Sequence, residues 1–231
     1  MDCPSRERAG WLCDSFFTSR VEKTLTGKSE EQSKFLRAEL LKVPDRVAAL
    51  CKSENCDLLL LAGDTFDGPS TPESLQALKN ALAQAEVPVF ISPGNHDFCT
   101  PASPWLTEVW PENVHIFTAP AVASVAIPKL DCRIYGAAFT GMDSGALLED
   151  FQTQGEERYH IAVLHGDPVQ KNSPYNPITN AQVRGSGLNY LALACLRNKL
   201  ISSDSEIIAN YSLNLIDCDI ILFFAYNVLS N

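Results

Sequence analysis

The first regular pattern along the chain is that of an amphipathic helix. Ser29 and Gln32 have the spacing of a capping box, so a helix is predicted to begin there. Its apolar face comprises Phe35, Leu36, Leu40 and Leu41. Pro44 interrupts this pattern and is expected to open a second helix, because proline fits the first turn of a helix. A third helix is predicted over residues 72–86, with an apolar stripe of Leu75, Leu78 and Leu82.

Continuous apolar runs between these helices predict buried strands. The clearest run covers residues 57–62, where four leucines follow one another before Gly63. A second buried strand is predicted at residues 87–91. Further strands are expected at residues 114–117, 122–127, 132–139 and 159–164. Helices and strands alternate first and strands dominate later, so the pattern predicts an α/β fold with helices covering the sheets.

Composition narrows the class of protein. The 231 residues and an apolar fraction of 45% suit one globular domain. The formal net charge of −10 argues against nucleic-acid binding through a broad Lys/Arg surface, because that mode works by releasing phosphate counterions. If the substrate is a phosphoester, bound metal cations or a basic partner protein must supply the positive charge.

Cysteine usage and the chain ends indicate a cytoplasmic protein. The eight cysteines include no CxxC pair, which gives no support to a zinc ribbon. The N-terminus lacks a basic stretch followed by an apolar core, so no signal peptide is expected. Scattered cysteines without an export signal are typical of a reducing compartment. The apolar run at residues 220–229 is too short to span a bilayer, and no membrane association is expected.

Three polar motifs follow three of the predicted strands. They are Gly63-Asp64-Thr65-Phe66-Asp67, Gly94-Asn95-His96-Asp97 and His165-Gly166-Asp167. In open α/β sheets ligands bind beyond the carboxyl ends of strands, so the motifs are expected to meet at one edge. A carboxylate, an amide oxygen and an imidazole suit Mn, Fe or Zn better than Ca. Each motif alone is explained by a polar turn or a buried histidine, but their combination favours a metal site that acts on phosphoryl groups.

These motifs resemble motifs two, three and four of the calcineurin-like metallophosphoesterases. Residues 57–67, 110–114 and 186–193 resemble the DNA-repair exonuclease branch of that superfamily, and the resemblance covers about residues 29–193. It implies a four-layer α/β/β/α sandwich with two mixed β-sheets. It also implies metal-dependent hydrolysis of phosphodiesters, exonuclease-like on DNA, with an ATPase subunit as a partner.

The resemblance implies a role for each motif residue. Asp64 would be the carboxylate that bridges two metal ions, and Asn95 and His165 would bind one of them. His96 would meet the scissile phosphate as a general acid or charge stabiliser. Asp67 would orient His96 and hold it protonated, although a solvated turn carboxylate is an equal alternative. Manganese is the expected metal, with iron and zinc as alternatives.

Two metal-binding motifs of the family have no counterpart in this chain. The first is Asp-x-His near the N-terminus and the fifth is Gly-His-x-His, but the four histidines are His96, His115, His160 and His165. We interpret His115 and His160 as structural, and Asp14 is a weak candidate ligand. One metal site would keep Asp64, Asn95 and His165, whereas the other would keep Asp64 alone. One bound ion is therefore expected rather than the two typical of the family.

The domain organisation predicted from these observations has three parts. Residues 1–28 form an atypical N-terminal segment, residues 29–193 an incomplete metallophosphoesterase core, and residues 194–231 a divergent C-terminal segment. Residues 201–231 contain no Gly, Pro, Lys or Arg, which suggests a relative truncated or altered in frame at both ends. Three functions stay open: a phosphodiesterase or nuclease, a catalytically impaired remnant that binds one metal or a partner protein, and a phosphatase or small-phosphodiester hydrolase.

Overall fold

The computed structural model describes residues 29–66 and 68–194 together with the backbone of three further strands. The helices of this part of the chain are α1 (Glu30–Leu40), α2 (Val43–Ser53), α3 (Pro72–Ala85), α4 (Pro104–Thr107) and α5 (Asn180–Gly185). A capping box starts α1 as predicted: the Gln32 backbone N–H donates to Ser29 Oγ at 3.2 Å, and the Ser29 N–H donates to Gln32 Oε1 at 3.0 Å. Within the described residues, none of the helices has both the length and the apolar character needed to cross a bilayer.

In the part of the chain that the structure describes, ten strands form two sheets. The first sheet contains β1 (Ala9–Leu12), β2 (Leu58–Leu61), β3 (Val89–Ile91), β4 (Val114–Ile116), β9 (Ser212–Asn214) and β10 (Asp219–Ala225), in the order β4-β3-β2-β1-β10-β9. Strands β1 to β4 are parallel, and β10 is antiparallel to both β1 and β9. The second sheet contains β5 (Ala123–Ile127), β6 (Cys132–Gly136), β7 (Tyr159–His165) and β8 (Tyr190–Ala194) in sequence order. Only its β5–β6 pair is antiparallel, so both sheets are mixed.

Alternating side chains of the strands build three apolar layers between four layers of structure. Leu59 and Leu61 of β2 pack against α2 and α3 on the outer side of the first sheet. Leu58 and Leu60 point the other way and pack between the two sheets. On the far side of the second sheet, Leu191 belongs to a third cluster that also contains residues of α5. The predicted α/β/β/α sandwich is therefore confirmed, and burial on both faces explains the unbroken leucine run.

The sequence pattern and the structure differ at several elements. Phe35 was expected on a buried face of α1 but is 56% exposed, whereas Leu40 at the C-terminal end of this helix packs against the core. The strand predicted over residues 132–139 ends at Gly136. Helices α4 and α5 and strand β8 had not been predicted. The capping box formed by Thr179 and Gln182 is the sequence signal that could have revealed α5.

A hydrogen bond between the two sheets lies close to the ends of β3 and β7. The buried Ser92 hydroxyl, directly after β3, donates to the Val163 carbonyl of β7 at 2.7 Å. Nearby, the Phe139 N–H that follows β6 donates to the Pro93 carbonyl at 3.0 Å. These directional contacts fix the position of one sheet edge relative to the other.

Replacing Ser92 with alanine is expected to lower the free energy of unfolding by about 1–3 kcal/mol, because a buried carbonyl loses a hydrogen-bond donor. Ser53→Ala is the matched control, since the Ser53 hydroxyl also donates to a carbonyl but is exposed at the end of α2. The control should change stability by less than about 0.5 kcal/mol. Urea denaturation followed by tryptophan fluorescence measures both, and equal effects of the two substitutions would contradict the importance of the contact between the sheets.

Candidate functional site

A tight turn after β2 brings the first polar motif to the edge of the sheet. Gly63 has a φ of +94° and Asp64 a φ of +48°, so two successive residues have left-handed backbone conformations. A Cβ atom on Gly63 would lie 2.6 Å from the Cβ of His165, which leaves no room for any other residue type. The chain therefore crosses directly over His165, which belongs to the other sheet.

The carboxylate of Asp64 is fully buried, and its two oxygens have different environments. Oδ1 accepts a hydrogen bond from the His96 backbone N–H at 2.9 Å. Oδ2 has no hydrogen-bond partner and lies 3.4 Å from His165 Nε2. Burying a carboxylate oxygen without a hydrogen bond raises the free energy of the folded state unless a positive charge or a donor compensates it. Oδ2 is therefore available as a ligand for a cation.

Asn95 and His165 complete a convergence of polar atoms. Asn95 Oδ1 lies 2.9 Å from His165 Nε2, and His165 Nδ1 lies 3.3 Å from the Ala62 carbonyl. If Nδ1 carries the imidazole proton and donates it to that carbonyl, the lone pair of Nε2 faces Asn95 Oδ1 and Asp64 Oδ2. The edge of the His165 ring also packs against Phe139, with the ring centroids 5.3 Å apart. In this tautomer two oxygens and one nitrogen point towards one another, which is the donor set of a divalent transition metal.

Asp97 connects the first two motifs, a role that the sequence had not revealed. Its Oδ1 accepts from the Gly94 N–H at 2.7 Å, and its Oδ2 accepts from the Phe66 N–H at 3.1 Å. The Trp105 indole N–H of α4 donates to the Asp97 carbonyl. Burial and the neighbouring Asp64 charge raise the pKa of Asp97 to about 7, although backbone N–H donors act in the opposite direction. Asp97 thus joins the two loops that present Asp64 and Asn95.

The other predicted residues have different positions. His96 is half-buried, and its backbone holds the Asp64 carboxylate. Asp67 lies outside the described residues, so its orientation of His96 stays a prediction. His115 packs against Phe117 and Phe90, while His160 Nδ1 lies 3.0 Å from the Tyr135 hydroxyl. These aromatic contacts agree with structural roles for both histidines.

Asp64, Asn95 and His165 are therefore brought together from both sheets, and their role as metal ligands stays a prediction. Within residues 29–66 and 68–194, no three His, Cys, Asp or Glu side chains are grouped as a metal site would require. The candidate donors are one carboxylate, one imidazole and the amide oxygen of Asn95. A site of this composition needs water or substrate to complete the coordination of a cation.

Comparison with known proteins gives matches that cover most of the described core. The sequence model of the calcineurin-like phosphoesterase family matches residues 36–200. The chain is 30% identical over 160 residues to the uncharacterized metallophosphoesterase YhaO of Bacillus subtilis (strain 168), covering 65% of this chain and 39% of the relative. It is 26% identical over 151 residues to the protein named "Probable glycerophosphodiester phosphodiesterase GpdQ" of Arcobacter nitrofigilis, covering 60% of this chain and 55% of that relative. The chain thus spans roughly two fifths and one half of the lengths of these relatives.

Gly94→Ala is expected to destabilise the protein by about 1–3 kcal/mol or more, because there is no space for a methyl group at this position. Its Cβ would lie 2.2 Å from Asp64 Oδ1 and 2.5 Å from the Asp64 backbone nitrogen. Gly145→Ala is the control, since its Cβ would meet no atom within 4 Å. Thermal unfolding of both variants measures the difference. A Gly94→Ala protein as stable as wild type would show that Asp64 does not hold this buried position.

Proposed function

Because this chain belongs to the calcineurin-like phosphoesterase family, we propose that it is a metal-dependent phosphodiesterase with its site at Asp64, Asn95, His96 and His165. One observation carries the proposal: the buried Asp64 Oδ2 lacks a hydrogen-bond partner and lies 3.4 Å from His165 Nε2. Asn95 Oδ1 is 2.9 Å from the same nitrogen. An unsatisfied buried carboxylate oxygen close to an imidazole nitrogen that also contacts an amide oxygen is well explained by a cation, whose charge offsets the cost of burial.

Asp64, Asn95 and His165 would hold the cation in this proposal. Mixed oxygen and nitrogen donors without a thiolate suit manganese, which we propose as the metal, with iron and zinc as alternatives. When bound, such a cation acts as a Lewis acid on a phosphoryl oxygen. The net charge of −10 supports this assignment, because an acidic protein needs a local source of positive charge to receive an anionic substrate.

His96 would act on the leaving group. Its backbone N–H holds Asp64 Oδ1 at 2.9 Å, so its position is coupled directly to the carboxylate. Its half-buried imidazole remains partly accessible to solvent and substrate. We assign to it donation of a proton to the departing oxygen, or stabilisation of charge on the phosphate. The orientation of this ring by Asp67 belongs to the same proposal.

The proposed substrate is a DNA phosphodiester, hydrolysed in an exonuclease-like reaction in the cytoplasm with an ATPase subunit as a partner. This choice rests on the resemblance of residues 57–67, 110–114 and 186–193 to the DNA-repair exonuclease branch. The name of the Arcobacter relative favours a second candidate, a glycerophosphodiester. The net charge of −10 also favours a small substrate or one presented by a partner, because a chain with an excess of acidic residues attracts a long DNA backbone poorly.

A non-catalytic relative that binds one metal ion or a partner protein is the competing hypothesis. It is favoured by the number of histidines, because none precedes residue 96 and none follows residue 165. It differs from the enzyme hypothesis in the turnover of a phosphodiester, because both hypotheses expect one bound metal ion.

The purified protein is expected to hydrolyse bis(p-nitrophenyl) phosphate when Mn²⁺ is added. His96→Ala should lower kcat by about 100-fold or more, because general acid catalysis contributes about that much. His115→Ala is the control, since His115 packs against Phe90 and Phe117. Metal content is measured on the same samples by plasma mass spectrometry. Turnover equal in wild type and His96→Ala would exclude this site, and one ion without turnover would favour the non-catalytic hypothesis.

The substrate class is decided by a direct comparison at equal Mn²⁺ concentration. Linear double-stranded DNA and glycerophosphocholine are supplied to wild type and to His96→Ala, and acid-soluble nucleotides and released choline are measured. The proposal expects release of nucleotides by wild type and its loss in the variant. Release of choline alone would replace DNA with the glycerophosphodiester as substrate.

A further inference from the structure

Asn176 is a fully buried asparagine beside the third polar motif. Its side-chain amide donates through Nδ2 to the His165 carbonyl at 2.8 Å. Its Oδ1 accepts a hydrogen bond from the Leu147 N–H at 2.8 Å. One side chain therefore connects the end of β7 to the loop that follows Phe139, and it requires both a donor and an acceptor to do so.

The backbone of Asn176 is bound to the same two segments. Its N–H donates to the Ser144 carbonyl at 2.8 Å, and its carbonyl accepts from the Asp167 N–H at 3.0 Å. Its φ is +48°, a left-handed conformation that asparagine tolerates better than most residues. The backbone N–H, the backbone carbonyl and both side-chain polar atoms of this buried residue are hydrogen-bonded. Asn176 is therefore held rigidly in place, unlike a residue in a solvent-exposed turn.

The turn after His165 is shaped to fit Asn176. A Cβ atom on Gly166 would lie 2.6 Å from the Asn176 carbonyl oxygen and 2.8 Å from its Nδ2, so only glycine allows this approach. His165 is the last residue of β7, and the Gly166 N–H that follows it donates to the Ala194 carbonyl of β8 at 3.0 Å. Asn176 therefore adds a side-chain hydrogen bond to the backbone of the last residue of β7.

We infer that Asn176 is a positioning residue that holds His165 in the orientation needed to face Asn95 and Asp64, an inference that rests on the proposed role of His165 as a metal ligand. Asn176 acts through the His165 backbone, since its Nδ2 contacts the carbonyl and not the imidazole. The hydrogen bond from Leu147 fixes the amide, and the amide in turn fixes the last residue of β7. Residues that support a ligand in this way typically change metal affinity about 10- to 100-fold when they are removed.

The test uses Asn176→Gly, which keeps the left-handed backbone and removes both side-chain hydrogen bonds. Asn176→Asp is the second variant, because it retains the volume and loses the donor to the His165 carbonyl. The matched controls are Asn113→Gly and Asn113→Asp. Like the Asn176 amide, the Asn113 amide donates to backbone carbonyls, in this case those of Leu82 and Val87, but Asn113 precedes β4 at the opposite edge of the first sheet.

Two quantities are measured below the unfolding temperature of every variant: the ring ¹⁵N resonances of His165 in metal-free protein, and Co²⁺ affinity by calorimetry. Both Asn176 variants should shift the His165 ring resonances, and Asn176→Gly should weaken Co²⁺ binding about 10- to 100-fold. The Asn113 variants should lose thermal stability without either change. Wild-type ring resonances in the folded Asn176 variants, or equal shifts in the Asn113 variants, would overturn the inference.

The proposed function and this inference fail in distinguishable ways. Wild-type protein that binds no Co²⁺ would remove the proposed metal site, whereas the ring resonances would still decide whether Asn176 positions His165. If Asn176→Gly binds Co²⁺ as tightly as wild type does, the metal site is retained and the positioning role of Asn176 is excluded.

Discussion

The packing of the two sheets sets the distances from His165 to Asp64 and Asn95. Asp64 and Asn95 follow β2 and β3, whereas His165 ends β7, so the three side chains meet only because the sheets are in contact. Apolar burial between the sheets, including Leu60 and Val163, provides a large but non-directional driving force. The hydrogen bond from Ser92 to Val163 adds direction close to the site. The site therefore depends on the arrangement of the whole sandwich and not on one loop.

The electrostatic problem at this edge is the burial of two neighbouring carboxylates. Asp97 is compensated by backbone N–H donors on both oxygens, yet burial and the Asp64 charge still raise its pKa to about 7. Asp64 receives a hydrogen-bond donor on Oδ1 alone, and its Oδ2 lies near His165 Nε2, which also contacts Asn95 Oδ1. Both carboxylate oxygens of Asp97 therefore accept hydrogen bonds, whereas only one carboxylate oxygen of Asp64 does. This difference supports our proposal that Asp64, rather than Asp97, binds the cation.

The elements that could be predicted from the sequence are mainly those that depend on residues close together in the chain. The capping box at Ser29 and the leucine run before Gly63 depend on neighbouring residues, and both elements form as expected. Convergence of the three motifs could also be expected, because strand ends share an edge in such sheets. The roles of Asp97 and Asn176 could not be predicted, since each depends on hydrogen bonds to residues far away in the chain. The exposure of Phe35 shows the same limit, because periodicity identifies an apolar face but not what covers it.

The number of metal ions that we propose depends on how many candidate ligand side chains lie at this edge of the first sheet. Strand β1 is parallel to β2 with Leu12 opposite Leu61, so the two strands end side by side. The resemblance to the family implies a histidine in a first motif near the N-terminus, whereas this sequence has no histidine before residue 96. By the same resemblance a second site would keep Asp64 alone, and a single protein ligand is too few to retain a second ion. In our proposal, activity would depend on the single ion held by His165, Asn95 and Asp64, and the orientation of His165 would then control the site.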